Sequence, residues 1–462
     1  MSSYSHLPEF VRGRREFLKL SGVAAAASGL LSTTVRAAGQ DSARPPQSKP
    51  LDPVRIGLVG AGNRGSSLCS LLLDMEGVEV RAVADLDEAR AARIQQSAQA
   101  KGRVKPDAYC RGEHDFERLC ARDDLDLVLA ATPWRWHTPI CVAAMRAGKH
   151  AATEVPAAQS LDECWQLVDT AEKTGRHCLM LENICYARNT MMVLNMIRQG
   201  LLGEIVHAQA GYQHDLRGYA EDTTPGAEPS WRRQEALKRN GNLYPTHPIG
   251  PVAWWMNINR GDRFDYLVSV SSKSVGVNAF FARKLGADHL LARQKLTQGD
   301  VNVTIIHTVN GCTVTLYYDT HLPRPYDPIF RAQGTQGIYS GSLNEIYIDP
   351  NVPAGSPKPD AWEAIEPYAT KYDHPLWKQL ESQAQGKGHG GSDYLMLHRV
   401  IRALRTGTAP DQDVYDAATW SAIVSLSEKS VAGRGQSVDF PDFTRGRWQK
   451  RAPVEIASTQ PA

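Results

Sequence analysis

Val54-Arg55-Ile56-Gly57-Leu58-Val59-Gly60-Ala61-Gly62-Asn63-Arg64-Gly65 decides the fold. A short apolar, β-branched run ends in Gly60, Gly62 and Gly65, spaced G-x-G-x-x-G, and Leu68 to Leu73 continues behind Ser66 at helical spacing. Strand, tight turn and helix in that order are what a dinucleotide fingerprint requires. The first glycine permits the turn, and the second admits a pyrophosphate to the backbone. The third lets helix and strand pack closely, with the helix N-terminus facing the anion. A second strand, Val78 to Ala84, ends at Asp85, roughly 20 residues past the glycines, where a ribose diol is read. A glycine-rich turn of some other α/β domain shares the spacing but needs neither that strand nor that carboxylate. The reading is a Rossmann unit, and Asp85 favours NAD over NADP.

Working outward, strand and helix patterns alternate as far as about Leu181. Leu125 to Ala130 reads as a buried strand, His137 to Ala147 as a helix stopped at Gly148, and His150 to Glu154 as a strand. Leu161 to Thr174 reads as a helix and Cys178 to Glu182 as a strand. Such alternation predicts a mostly parallel sheet covered on both faces, with the ligand outside the carboxyl ends of its strands. Three loops at those ends matter: Trp134-Arg135-Trp136-His137, Glu154-Val155-Pro156 and Glu182-Asn183. Beyond a helix at Met191 to Gln199 the texture changes. Val206 to Tyr212, Phe264 to Val275, Val301 to Val309 and Thr313 to Tyr318 alternate as strands without helices between them, which predicts an α+β second domain with a mainly antiparallel sheet. Asp393 to Thr406 and Ala417 to Val431 read as helices. Arg217 to Leu243 and Asp319 to Pro328 are strand-poor and read as substrate loops.

The chain has 462 residues, long enough for two cores. Apolar residues make up 42% and the formal charge is +2, a balance that fits neither a disordered chain nor a nucleic-acid binder. With the N-terminus set aside, no apolar run is long enough to span a bilayer. That N-terminus reads as an address label. Arg14-Arg15 precede an apolar run, Leu20 to Leu31, and small residues follow at Val35-Arg36-Ala37-Ala38. The pattern resembles a twin-arginine export signal, so residues 1–38 are expected to be a leader and 39–50 a linker. The expected organisation continues with an NAD-binding domain over 51–183 and a substrate and oligomerisation domain over 184–462. Eight cysteines show no metal spacing, and several sit inside apolar patterns as small core residues.

In the second half, Asn242-Leu243-Tyr244-Pro245-Thr246-His247-Pro248 is the most unusual polar stretch. It sets a phenol and an imidazole three residues apart, before an apolar helix expected at Val252 to Met256. One turn of helix points both the same way. A histidine exchanges protons near neutrality and a tyrosine can share them; the same histidine would also suit a helix start. Trp231-Arg232-Arg233 suits a sugar, ring against apolar face and guanidinium against hydroxyls, or a solvated basic face. Tyr212 and Tyr326 read, on their own, as packing.

Taken together these motifs resemble the Gfo/Idh/MocA oxidoreductase superfamily. Within it they are most similar to the NAD-dependent α-N-acetylgalactosaminidases of glycoside hydrolase family 109. Trp134-Arg135-Trp136-His137, Thr153-Glu154-Val155-Pro156-Ala157-Ala158, Leu181-Glu182-Asn183, Gly241 to His247 and Trp254 to Arg263 carry the likeness. The resemblance implies NAD against Asn63, Arg64, Asp85, Trp134 to His137, Glu154, Val155, Asn183 and Tyr244, beside Gly60 and Gly62. It implies the sugar at Tyr212, Arg232, Tyr244, Pro245, Thr246, His247 and Tyr326. His247, Tyr244 and Tyr186 become the proton-transfer candidates. Sugar dehydrogenases of the superfamily carry Glu-Lys-Pro, whereas the middle residue here is Val155, which takes no proton.

The implied activity is a redox-neutral hydrolysis of terminal α-N-acetylgalactosamine: oxidation at C3, elimination across C1 and C2, addition of water, and reduction. No acid and nucleophile carboxylate pair is needed for it. The alternative is an exported sugar oxidoreductase with net electron transfer to a second substrate. Sheet-face dimers are common in the superfamily, although the sequence leaves the oligomeric state, a homo-oligomer included, open; export in folded form makes the periplasm the expected location. Replacing Arg14 and Arg15 together by lysine should leave a folded precursor in the cytoplasm, as cell fractionation would show. Efficient delivery of that variant to the periplasm would remove the export assignment.

Overall fold

The computed structural model describes residues 49–220 and 230–456. The expected leader, nearly all of the linker and part of the Arg217 to Leu243 loop therefore lie outside the described residues.

The first half forms a six-stranded sheet in the order β3-β2-β1-β4-β5-β6. Its strands are β1 (Val54–Val59), β2 (Val78–Ala84), β3 (Asp107–Tyr109), β4 (Leu127–Ala130), β5 (His150–Thr153) and β6 (Cys178–Met180). Every pairing is parallel, and Leu58 lies opposite Val83 on one side and Leu129 on the other. Val54, Ile56, Leu58, Val128 and Leu129 are almost wholly buried, as continuous apolar runs in a two-sided parallel sheet should be. Helices α1 (Asn63–Leu73), α2 (Glu88–Ala100), α3 (Asp115–Cys120), α4 (His137–Arg146) and α5 (Leu161–Thr174) connect the strands. The last has the bounds its sequence pattern implies: Ser160 caps it by accepting from Glu163 N, and Gly175 closes it at φ 65°.

The second sheet has nine strands, in the order β14-β13-β12-β11-β7-β10-β9-β8-β15. These are β7 (Ile205–Gln213), β8 (Phe264–Ser271), β9 (Val301–Thr308), β10 (Thr313–Asp319), β11 (Arg331–Gly334), β12 (Gly337–Ser340), β13 (Glu345–Ile348), β14 (Glu363–Ala364) and β15 (Val438–Asp439). All pairings are antiparallel except β7 with β10. The sheet is mainly antiparallel, as expected. Its strands are interrupted by more helix than the pattern suggests: α6 (Arg188–Arg198) precedes it, and α7 (Trp231–Lys238), α8 (Thr246–Trp255), α9 (Gly276–Leu285) and α10 (Leu290–Arg293) lie between its strands. After it come α11 (Glu366–Tyr372), α12 (Pro375–Ala384), α13 (Ser392–Thr406) and α14 (Val414–Ala432).

Two differences matter for the site. The helix expected from Val252 begins at Thr246, because Pro248 falls in its first turn where its missing N–H costs nothing. His247 therefore sits on regular helix. The loop expected from Arg217 to Leu243 holds α7, capped by Ser230, which places Trp231 and Arg232 on its first turn. The other buried organiser is α14, apolar on nearly all sides, which packs against α5 and β6 of the first half and β8 of the second. All eight cysteines are free, and burial pushes the Cys69 and Cys120 thiols up to about 12. Among the described residues, no helix is long and apolar enough to cross a membrane.

Candidate active site

The glycine-rich turn is built as a cradle. Gly60 has φ +92°, and a Cβ there would lie 2.6 Å from Ala131 O. A Cβ on Gly65 would lie 1.9 Å from Gly60 O, so only glycine lets α1 approach β1 this closely. Gly62 is different: the nearest atom to a Cβ there is Arg90 Nη1 at 3.9 Å, leaving open space beside an N-cap with no side-chain partner. The first N–H groups of α1 face that space and suit an anion. The Asp85 carboxylate fixes the turn, accepting from Ala61 N at 2.6 Å and Asp87 N at 2.9 Å.

The loops at the strand ends close around this turn. Arg64 Nε donates to Glu154 Oε1 at 2.7 Å, while Nη1 and Nη2 fork onto the Asp393 carboxylate at 2.7 and 3.0 Å. Asn183 Nδ2 donates to the same carboxylate at 2.8 Å. Two buried polar atoms here have no partner, Asn183 Oδ1 and Thr132 Oγ1. With the empty space at Gly62 they fit a dinucleotide, which brings hydroxyl and carboxamide donors as well as phosphates. Trp134 and Val155 are buried against this region. The other loop residues point elsewhere. Arg135 pairs with Glu113 at 3.0 Å on the surface, and Trp136 packs edge-on to His114 and Phe116. His137 is 1% exposed, its ring nitrogens 2.7 Å from Pro156 O and 2.8 Å from Thr132 O, tying together the loops after β4 and β5.

On the other side of Trp134 the two halves meet in an aromatic cluster. Tyr244 stacks on Trp134 with centroids 5.4 Å apart and meets Tyr212 edge-on at 4.7 Å. The Arg232 guanidinium lies over Trp231, Tyr244 and Trp134 at 4.6, 5.2 and 5.3 Å. Tyr326 is 47% exposed and packs edge-on to His214 at 5.3 Å and Tyr212 at 6.4 Å, at the rim. Pro245 is the N-cap of α8, and Thr246 is fully buried with Oγ1 unpartnered.

Within this cluster lies a hydrogen-bonded chain of carboxylate, imidazole and phenol. His247 Nδ1 is 2.7 and 2.8 Å from the two Glu182 carboxylate oxygens, and Nε2 is 3.2 Å from Tyr244 Oη. A carboxylate accepts, so Nδ1 is placed to donate to Glu182, which in the neutral tautomer leaves Nε2 facing the phenol as acceptor. Glu182 is fully buried and doubly fixed: its N–H donates to Gln412 Oε1 at 2.9 Å, and its carbonyl accepts from Gln412 Nε2 at 2.8 Å. Burial pushes the Tyr244 phenol well above its ordinary range, so it works as a neutral hydroxyl. Tyr186 belongs to another network: it is 2% exposed, donates to Asp411 Oδ2 at 3.0 Å and meets Trp254 edge-on at 5.3 Å.

Three groups escape a reading of the residues alone. Glu182 shows itself only as a strand-end residue, Asp393 only as the start of a helix, and His389 not at all. The one signal for His389 is its setting, Gly388-His389-Gly390-Gly391, where all four residues have positive φ. Its Nδ1 lies 2.8 Å from Asp393 Oδ2, and that hydrogen bond raises its pKa. At this site two histidines thus lie on buried carboxylates, His247 on Glu182 and His389 on Asp393.

Two family models match successive parts of the chain. Residues 54–182 match the model of the oxidoreductase family with an NAD-binding Rossmann fold, and residues 186–450 match the model of the glycosyl hydrolase 109 C-terminal domain. A glycosyl hydrolase family 109 protein 2 of Shewanella sp. (strain ANA-3) is 46% identical over 454 residues, covering 96% of this chain and 98% of the relative. A glycosyl hydrolase family 109 protein of Solibacter usitatus (strain Ellin6076) is 46% identical over 445 residues, covering 96% and 99%. Among solved structures, a levoglucosan dehydrogenase with NADH and L-sorbose superposes with a TM-score of 0.62 at 20% identity, covering 85% of this chain and 100% of that one. An inositol dehydrogenase homologue from Azotobacter vinelandii with NADH and myo-inositol gives 0.60 at 20% identity, covering 84% and 98%. At that identity the likeness is one of fold. The N-terminal domain is an NAD-binding Rossmann domain of the Gfo/Idh/MocA kind, and the chain belongs to glycosyl hydrolase family 109.

Proposed function

We propose that this protein releases terminal α-N-acetylgalactosamine by oxidation at C3, elimination, addition of water and reduction. Bound NAD supplies reversible hydride removal at C3, which makes the neighbouring C2 proton acidic and leaves no cofactor consumed. The observation that carries the reading is the Glu182–His247–Tyr244 chain, which joins Glu182, just past the last strand of the NAD-binding domain, to His247 and Tyr244 of the second half and stacks through Tyr244 on Trp134. Val155 is buried and has nothing to titrate, so proton handling falls to the histidines and the phenol. His247 Nε2 receives the proton of a sugar hydroxyl through Tyr244 Oη, and the Glu182 carboxylate stabilises the resulting imidazolium. His389 supplies a second imidazole, set on a glycine-rich turn, for the C2 proton or the leaving-group oxygen. Arg232, Tyr212 and Tyr326 hold the sugar, with aromatic faces against its apolar side. Export in folded form through the twin-arginine route suits such an enzyme, because a cofactor restored in each turnover can travel inside it.

Glu182→Gln keeps the size of the side chain and removes its charge. It should depress kcat on a nitrophenyl α-N-acetylgalactosaminide by roughly 10²–10⁴-fold, as should His247→Ala. Both variants should keep NAD. Turnover unchanged in both would mean the relay is structural.

Isotope placement tests the sequence of steps. Turnover in deuterated water should put deuterium at C2 of the released sugar, where the proton leaves and returns. Product unlabelled at C2 would overturn the elimination. Reduction of an added ketone acceptor without phenol release would instead favour the sugar oxidoreductase.

A further inference from the structure

One carboxylate gathers groups from three walls of the cofactor cradle. Asp393 lies in the first turn of α13 and its side chain has no exposed surface. It accepts the Arg64 fork at 2.7 and 3.0 Å, Asn183 Nδ2 at 2.8 Å and His389 Nδ1 at 2.8 Å. Arg64 continues through Nε to Glu154. The first turn of α1, the end of β5 and the end of β6 are thereby clasped by a residue from the far end of the second half, 329 positions from Arg64. A surface ion pair between domains would add little. This one is different, because a water-excluded anion with several N–H donors is expensive to unpair, so the clasp opens as a unit. Arg64, 25% exposed at the side chain, forms the outer strap of the clasp.

We propose that Asp393 is a positioning residue that keeps NAD resident. It holds Arg64 across from α1 to β5 and fixes Asn183 with Oδ1 free for the cofactor, so that NAD leaves only when α13 releases α1. This rests on the assignment of NAD to the cradle. This role is distinct from its bond to His389, since Asp393 acts on the cofactor through Arg64 and Asn183. The same carboxylate orients His389, whose ring faces Asp393, Arg64 and Glu154 as its charged neighbours. Loosening the clasp should therefore also change how His389 titrates.

The test compares wild-type holoenzyme with Asp393→Asn, an isosteric change that removes the charge. Nucleotide bound per chain is measured after gel filtration, and its first-order loss after dilution is followed by chromatography. Loss should be at least about tenfold faster in the variant, the factor for one hydrogen bond to a charged group. Excess NAD should restore its melting temperature. Nuclear magnetic resonance should show the His389 ring titrating at lower pH than in wild type, because the carboxylate that stabilises the protonated ring is gone. His389→Gln leaves the Arg64–Asp393 fork intact and should lose NAD at the wild-type rate. Equal retention in wild type and Asp393→Asn would overturn the proposal. A wild-type protein that neither carries nor takes up NAD would sink the cofactor assignment beneath it. If Asp393→Asn does not fold, Asp393→Glu, which keeps the charge but displaces the carboxylate from the fork, carries the test: faster loss supports the clasp, and unchanged loss overturns it.

Discussion

The Glu182 carboxylate has no exposed surface, and a buried charge must be met by donors or the fold loses several kilocalories per mole. That requirement arranges the centre of the molecule. Gln412, just before α14, fixes the Glu182 backbone, and His247 on the first turn of α8 meets its side chain. Because His247 is so held, its other nitrogen faces Tyr244, and Tyr244 in turn stacks on Trp134 from the NAD-binding domain. One desolvated carboxylate thus fixes the tautomer of a histidine, the position of a phenol and the seam between two domains.

Much of the frame could be read from residue order. The parallel half was legible because its strands are continuous apolar runs and its turn needs glycines at set places; α5 came out with its bounds because Ser160 and Gly175 mark both ends. The beginning of α8 was obscured by Pro245, Pro248 and Pro251, which look like loop residues until Pro248 is seen to occupy a first turn. Short strands such as β11 to β14, four residues or fewer, carry too little alternation to announce themselves. The contacts that make the site were illegible for another reason: Glu182 lies 65 residues from His247, and Asn183 lies 210 from Asp393. Pattern reaches along the chain, whereas these pairings are set by packing across it.

The chemistry follows a similar division. In the proposed reaction the glycine turn, Asp85 and the free Asn183 Oδ1 serve the cofactor, which needs shape and acceptors more than acids. The proton-transfer groups we propose, His247, Tyr244 and His389, come from the second half, with Glu182 reaching His247 from the first. Val155, where the resemblance implies a lysine in sugar dehydrogenases, is buried and takes no proton, and the site holds His247 and His389 on buried carboxylates. An enzyme that only oxidised its sugar would need one base; breaking and remaking the bond at C1 requires protons to leave and return at more than one oxygen and carbon.

The central claim is that the resident nicotinamide is reduced and reoxidised within every turnover. Stopped-flow absorbance of holoenzyme mixed with a nitrophenyl glycoside, with no added cofactor or electron acceptor, tests it most directly. The near-ultraviolet band of reduced nicotinamide should rise to a fraction of the bound cofactor, hold while phenol accumulates over many turnovers, and decay when substrate is exhausted. Phenol release at full rate by protein stripped of NAD, or a single equivalent of reduced cofactor that never reoxidises, would contradict it.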